Sequence, residues 1–160
     1  MSIVILTEEQ AAAVEYYVEF IKKMKEVFLA NRSILKAGDR AVNENVFIGL
    51  GRAVPTLPAI RINGDKHAEE YLTFGSRENT ITFTVGIEIS NEWADNEANE
   101  LYIHQLGDRL LEVIRKNEDF KSIVRQIERI DVSYSVVTTD VGGFVRVGSV
   151  YLTVVKDVSF

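Results

Sequence analysis

The clearest alternation in the chain runs from Ile81 to Ile89, where Ile81, Phe83, Val85, Ile87 and Ile89 take every second position between Thr82, Thr84, Gly86 and Glu88. A period of two puts the apolar set on one side of a strand, so a strand buried on one face is expected here. The period then changes. Ile103, Leu106, Leu110, Val113 and Ile114 recur at helical spacing, with Asp108, Arg109, Glu112, Arg115 and Lys116 on the other side, which predicts an amphipathic helix running to Lys116. Residues 129–139 and 144–156 are rich in Val, Ile, Tyr, Thr and Phe and are separated by Asp140-Val141-Gly142-Gly143, the pattern of a hairpin with a short loop. A loop of that length pairs Thr139 with Phe144. One face then holds Ile130, Val132, Tyr134 and Val136 with Val145, Val147, Tyr151 and Val155, and this face is expected to meet the helix. The other holds Asp131, Ser133 and Ser135 beside Val150, Leu152 and Val154. An apolar strip facing away from the helix needs a cover, either the chain's own segment 39–56 or another protein, and a subunit or partner contact is the expectation for Val150, Leu152 and Val154.

The first part of the chain opens a helix at Thr7-Glu8-Glu9-Gln10, a capping-box pattern, and carries Val14, Tyr17, Val18, Ile21, Met24 and Phe28 on one face. Its end is expected between Asn31 and Lys36, before Gly38-Asp39. Residues 39–56 mix Val46, Phe47, Ile48 and Leu50 with Gly49, Gly51 and Pro55 and read as a short strand or a structured loop. Leu57 to Ile62 reads as a strand, Asn63-Gly64-Asp65 as a turn, and residues up to 80 as a polar excursion. The order helix, strand, strand, helix, strand, strand predicts a single α+β domain over 1–160. Its expected form is a mostly antiparallel sheet of about four or five strands, with two main helices packed on one face and a C-terminal β-hairpin.

Composition narrows the chemistry. With 160 residues and 46% hydrophobic content the chain can bury one sizeable core, and the absence of cysteine leaves packing, not disulfides or thiolate metal sites, to hold it. Ser2 to Leu6 is too short for a signal peptide or a membrane span, so no membrane partner is expected. The net charge of −6 is unevenly placed: Glu88, Glu92, Asp95, Glu97 and Glu100 fall together with no Lys or Arg among them. Asp95 or Asn96 suits a helix cap, and Glu97 and Glu100 suit the positive end of the helix dipole. Glu92, Asp95 and Glu97 are also candidates for a contact with a basic partner. No basic cluster interleaved with aromatics is present, which argues against tight binding to a phosphate backbone.

Catalytic and ligand motifs are weak. The two histidines, His67 and His104, have no second imidazole or carboxylate that reads as a metal set, so neither a metal nor a catalytic residue is assigned. Gly49-Leu50-Gly51 lacks the third glycine and the strand-to-helix setting of a dinucleotide site, and no cofactor is expected. Trp93 reads as an anchor at the edge of the core.

Phe47 followed by Pro58-Ala59-Ile60, the alternating strand Ile81 to Ile89, the acidic lead-in, the helix to Lys116 with Asn117 after it, and the terminal hairpin with Gly142-Gly143 together resemble the tail terminator proteins of long-tailed bacteriophages. Neck and tail-completion proteins have a similar build. The resemblance covers about residues 44 to 156. It implies a structural protein without catalysis that forms a ring, commonly of six subunits, on the last ring of the tail tube, stops tube growth and offers the head a docking surface. The implied partners are further copies of the chain, the tail tube protein, the sheath where there is one, and head-connector proteins, with DNA only passing through the lumen. The implied location is the virion, after synthesis in the host cytoplasm. Two other readings stay open. One is a small-molecule enzyme or binding domain using the 63–80 segment through His67, Glu69, Glu70, Tyr71 and Arg77, and the other is a structural adaptor of a cellular complex.

Overall fold

A computed structural model describes residues 2–49, 56–71, 78–93, 96–117, 120, 123–124, 126–138 and 143–159, with backbone alone at 69–71, 78–79 and 158–159. Three helices, α1 (Glu8–Ala12), α2 (Tyr16–Ala30) and α3 (Glu97–Lys116), accompany seven strands. These are β1 (Lys36–Ala37), β2 (Arg40–Ala41), β3 (Val46–Ile48), β4 (Ala59–Tyr71), β5 (Glu78–Glu92), β6 (Gln126–Thr138) and β7 (Phe144–Ser159). The fold is α+β. Its main sheet has five strands in the order β3-β4-β5-β7-β6, all antiparallel except β3, which lies parallel to β4. The β1–β2 pair is a separate small hairpin, turned at Gly38, whose φ of 67° and close approach to the Tyr102 ring leave no room for a side chain.

β5 stands at the centre and its alternation is the one expected. Ile81, Phe83, Val85, Ile87 and Ile89 are all buried, and the register sets them beside Ile60 and Ile62 of β4 and Val150, Leu152 and Val154 of β7. Onto this row α2 brings Phe20, Met24, Val27 and Phe28, and α3 brings Ile103, Leu106, Leu110, Val113 and Ile114. Phe20 meets Phe83 edge-on at 5.8 Å and Phe120 at 5.3 Å between ring centres. The opposite sheet face is polar, with Arg61, Glu88, Ser149 and Ser133 aligned across four strands. Arg61 and Glu88 close an ion pair there at 2.8 Å.

Three expectations are corrected. The first helix breaks at Ala13–Glu15 into α1 and α2, although the capping box forms as expected between Thr7 and Gln10. Its buried face is Phe20, Met24, Val27 and Phe28, while Val14 and Val18 face solvent. The segment after Asn63 is no excursion: β4 continues to Tyr71 and β5 starts at Glu78, so the strands form one long ladder past the Asn63-Gly64-Asp65 site. Third, the hairpin pairs Thr138, not Thr139, with Phe144. A slip of one residue exchanges the faces. Val150, Leu152 and Val154 are therefore level with Val132, Ile130 and Ile127, lie on the helix side and are 0% exposed. They are core residues and not an open interface. Val145, Val147 and Tyr151 take the other face, while Ile130, Val132, Tyr134 and Val136 share the inner side with Val150 and Leu152.

The Asn63-Gly64-Asp65 signal has a different product, a bulge between Gly64 and Lys66 that leaves Asp65 without a partner in the ladder. Tyr17 of α2 fills the gap. Its hydroxyl accepts from the Asp65 N–H at 2.7 Å and donates to the Thr84 carbonyl at 2.6 Å, with its ring 4.7 Å from Phe83. Gly64 must lack a side chain here, because a Cβ would stand 3.0 Å from the Tyr17 oxygen. A second bulge on β6, between Ile127 and Arg129, falls opposite Thr153 and Val154, almost level with the first across the sheet.

Two substitutions test this core. Val150→Lys places an ammonium in a site with no exposure, at a cost of about 5 kcal/mol; thermal unfolding should show a drop of roughly 10 °C or more for a chain of this size. Tyr17→Phe keeps the ring but strands an amide and a carbonyl at the bulge, for a loss of about 1–3 kcal/mol in denaturant unfolding. A stability unchanged by Tyr17→Phe would mean that water satisfies the bulge.

Candidate functional site

The acidic lead-in to α3 resolves into capping and ion pairing. Asn96 is the cap, its side chain accepting from the Asn99 N–H at 2.8 Å, and Glu97 and Glu100 occupy the first turn as expected. Glu97 is exposed. Glu92, at the end of β5, reaches Arg40 of β2 at 2.7 Å. Asp95 lies outside the described residues. Of the six residues expected at an interface, then, Glu92 and Glu97 are on the surface and Val150, Leu152 and Val154 are in the core.

Glu100 turns out to have company. It sits one helical turn before His104, whose Nε2 is 3.2 Å from its Oε1, and its other oxygen meets the Arg146 guanidinium from β7. His104 therefore does have a carboxylate at helical spacing, a pair the separate reading of each residue passed over. The imidazole stands edge-on to Tyr134 of β6 at 4.2 Å. Tyr134 is held by glycines on two elements: a Cβ at Gly148 of β7 would come within 2.9 Å of its ring, and one at Gly107 of α3 would collide with its hydroxyl. A glycine in the middle of a helix costs about 1 kcal/mol relative to alanine, and that cost is the sequence signal that something packs against Gly107. Burial, and then the Asp108 carboxylate, push the Tyr134 phenol above its ordinary pKa. Chemically this group is a latch between α3 and the β6–β7 edge, with no nucleophile and base in reach of each other.

Of the residues of the alternative pocket reading, His67 is exposed beside the Tyr17 ring, and Glu69, Glu70 and Tyr71 come after it along the β4 backbone. Arg77 lies outside the described residues. A concavity of about 1010 Å³ is an open groove between the β1–β2 hairpin and Asn45, Thr56 and Leu57. Its charges are of both signs, and Arg40 is already paired with Glu92 across it. Among the described residues no three His, Cys, Asp or Glu side chains converge as a metal would require, and no helix is long and apolar enough to cross a membrane.

Exposed apolar side chains are scattered at Val14, Val18, Ile34, Ile48 and Leu101 and grouped in two places. Ser2–Leu6 precedes α1 as an arm in neither helix nor strand, with Ile3 90%, Val4 81%, Ile5 86% and Leu6 60% exposed. The second place is the end of the β6–β7 hairpin, where Val136 and Val137 are exposed and Phe144 stands 5.5 Å from Trp93. Trp93 is at the rim, as expected, but open to solvent on one side. The apolar run Ile3–Leu6 was the available signal for the first, and its brevity hid it. No family model matches this chain, and no curated protein matches it.

The latch gives a sign test. Gly107→Ala, which would stabilise an ordinary helix, should lower the melting temperature by several degrees, and Gly148→Ala likewise. Pairing Gly107→Ala with Tyr134→Ala should recover much of the loss in a double-mutant cycle, whereas Gly148→Ala, whose Cβ would also meet Ile89 at 2.7 Å, should be rescued less. Because the Tyr134 pKa is raised in the folded state, its contribution is complete below the ordinary tyrosine value and is lost as pH climbs through the folded one. Stability should decline above about pH 10, and less steeply in Tyr134→Phe.

Proposed function

We propose that this protein is a structural ring-former of the tail terminator kind: it assembles, commonly as a hexamer, at the head-proximal end of a phage tail tube, ends tube polymerisation and presents the head-docking surface. The observation that carries the self-assembly part is the distribution of exposed apolar side chains. Four of the most exposed fall together on the Ser2–Leu6 arm and others group at the end of a sheet edge, the pattern of a surface completed by another protein. The tail assignment itself rests on the resemblance over residues 44 to 156. The tail tube protein, the sheath where present and head-connector proteins are the other partners, DNA passes through the lumen, and the virion is the location. An adaptor of a cellular complex would be built in the same way with a different partner.

Rings should be visible by negative-stain microscopy and as a discrete species in native mass spectrometry, at high protein concentration or on preformed tubes of a phage tail protein. Tubes grown with the protein present should stop short and carry it at one end. A strict monomer that neither forms rings nor caps tubes would overturn the reading, and an assembled protein that ignores tubes would leave the adaptor.

A further inference from the structure

β6 is the outer strand of the sheet and pairs with β7 on one side only. Its other side offers a row of backbone donors and acceptors along 13 residues that no described strand takes up. Proteins guard such an edge with charge, proline or a bulge. Here the guard is uneven. Glu128, Arg129, Asp131 and the bulge at Ile127/Arg129 protect the first half, whereas Val132 to Thr138 carries no charge and no proline, and Val136 and Val137 in it are exposed.

The arm has the matching chemistry. Ser2-Ile3-Val4-Ile5-Leu6 is uncharged and rich in β-branched residues, which favour a strand. Thr7 fixes its exit: the Thr7 N–H donates to Gln10 Oε1 at 3.0 Å while Thr7 Oγ1 accepts from the Gln10 N–H at 3.2 Å. Extended, the arm spans roughly 17 Å, close to the length of the uncharged half of β6. It does not lie on its own edge. The arm leads through α1 into Tyr16, whose ring is 4.8 Å from Lys156 at the far end of β7. The uncharged stretch begins opposite Val150, some 20 Å further along that strand.

We propose that Ser2–Leu6 of each protomer adds as a strand to the Val132–Thr138 edge of the next. The inference rests on the self-assembly reading above and names its contact. Arm to edge is a head-to-tail junction, which closes into a ring when the rotation per subunit divides a full turn and runs on as a filament when it does not. Backbone hydrogen bonds supply the pairing, and the side chains of Ile3 and Ile5 or of Val4 and Leu6 would meet the inner or outer apolar positions of the edge.

The test uses the intact chain and its freedom from cysteine. Ile3→Lys/Ile5→Lys and, separately, Val136→Lys should be monomeric under conditions where the unaltered protein assembles, with unchanged circular dichroism, because all three positions are exposed. Ile5→Cys protein mixed with Val136→Cys protein should give a mixed disulfide on oxidation, and mixed with Arg129→Cys protein should give little. Assembly persisting undiminished in the Ile3→Lys/Ile5→Lys protein, or assembly with no preference for position 136 over 129, would overturn arm exchange while leaving self-assembly standing. An unaltered protein that stays monomeric at every concentration would overturn both.

Discussion

The structure depends on one dry row. Ile81, Phe83, Val85, Ile87 and Ile89 hold the inner face of β5, with β4 on one side and β7 on the other, and α2 and α3 join them in one core. Without disulfides, apolar burial must supply most of the free energy that orders the chain, at roughly 25 cal/mol for each Å² removed from water. Helices α2 and α3 are amphipathic and need a surface to cover. β5 and its neighbours are that surface, so helix position and sheet register are one problem and not two.

Polar groups then define what the row cannot. The Tyr17 hydroxyl answers an amide that the β4 bulge leaves out, and the Tyr134 ring is seated by two missing side chains, Gly107 and Gly148. Both tyrosines tie a helix to the sheet at a point where apolar packing alone would tolerate sliding. Burial raises the pKa of each further above neutrality, where a phenol is uncharged and able to donate. The polar outer face adds Arg61 and Glu88, a shielded pair whose partners sit directly opposite in the β4–β5 register.

Much of this was legible. The β5 alternation, the buried face of α3 and the Thr7 capping box depend on local spacing, and local spacing survives folding. What failed depended on a count. The hairpin loop was one residue longer than its glycine pair suggested, and because strand side chains alternate, that one residue moved Val150, Leu152 and Val154 from an expected interface into the core. The first helix misled differently: Phe20 and Val27 belong to a face rotated from the Val14 and Val18 line, and the rotation begins at the Ala13–Glu15 break, where no glycine or proline marks it. Bulges were illegible for a similar reason. Asn63-Gly64-Asp65 is a turn signal whether the chain reverses or merely buckles, and only the length of the strand beyond it decides.

The two bulges shape the sheet. Gly64/Lys66 on β4 and Ile127/Arg129 on β6 interrupt the two flanking ladders at nearly the same height, while the β5–β7 ladder between them runs unbroken from Glu78 to Glu92. A bulge sharpens the twist of the strand that carries it, so the strands on either side turn about a continuous central pair. On the β4 side the Tyr17 phenol fixes that turn, bridging the Asp65 N–H to the Thr84 carbonyl.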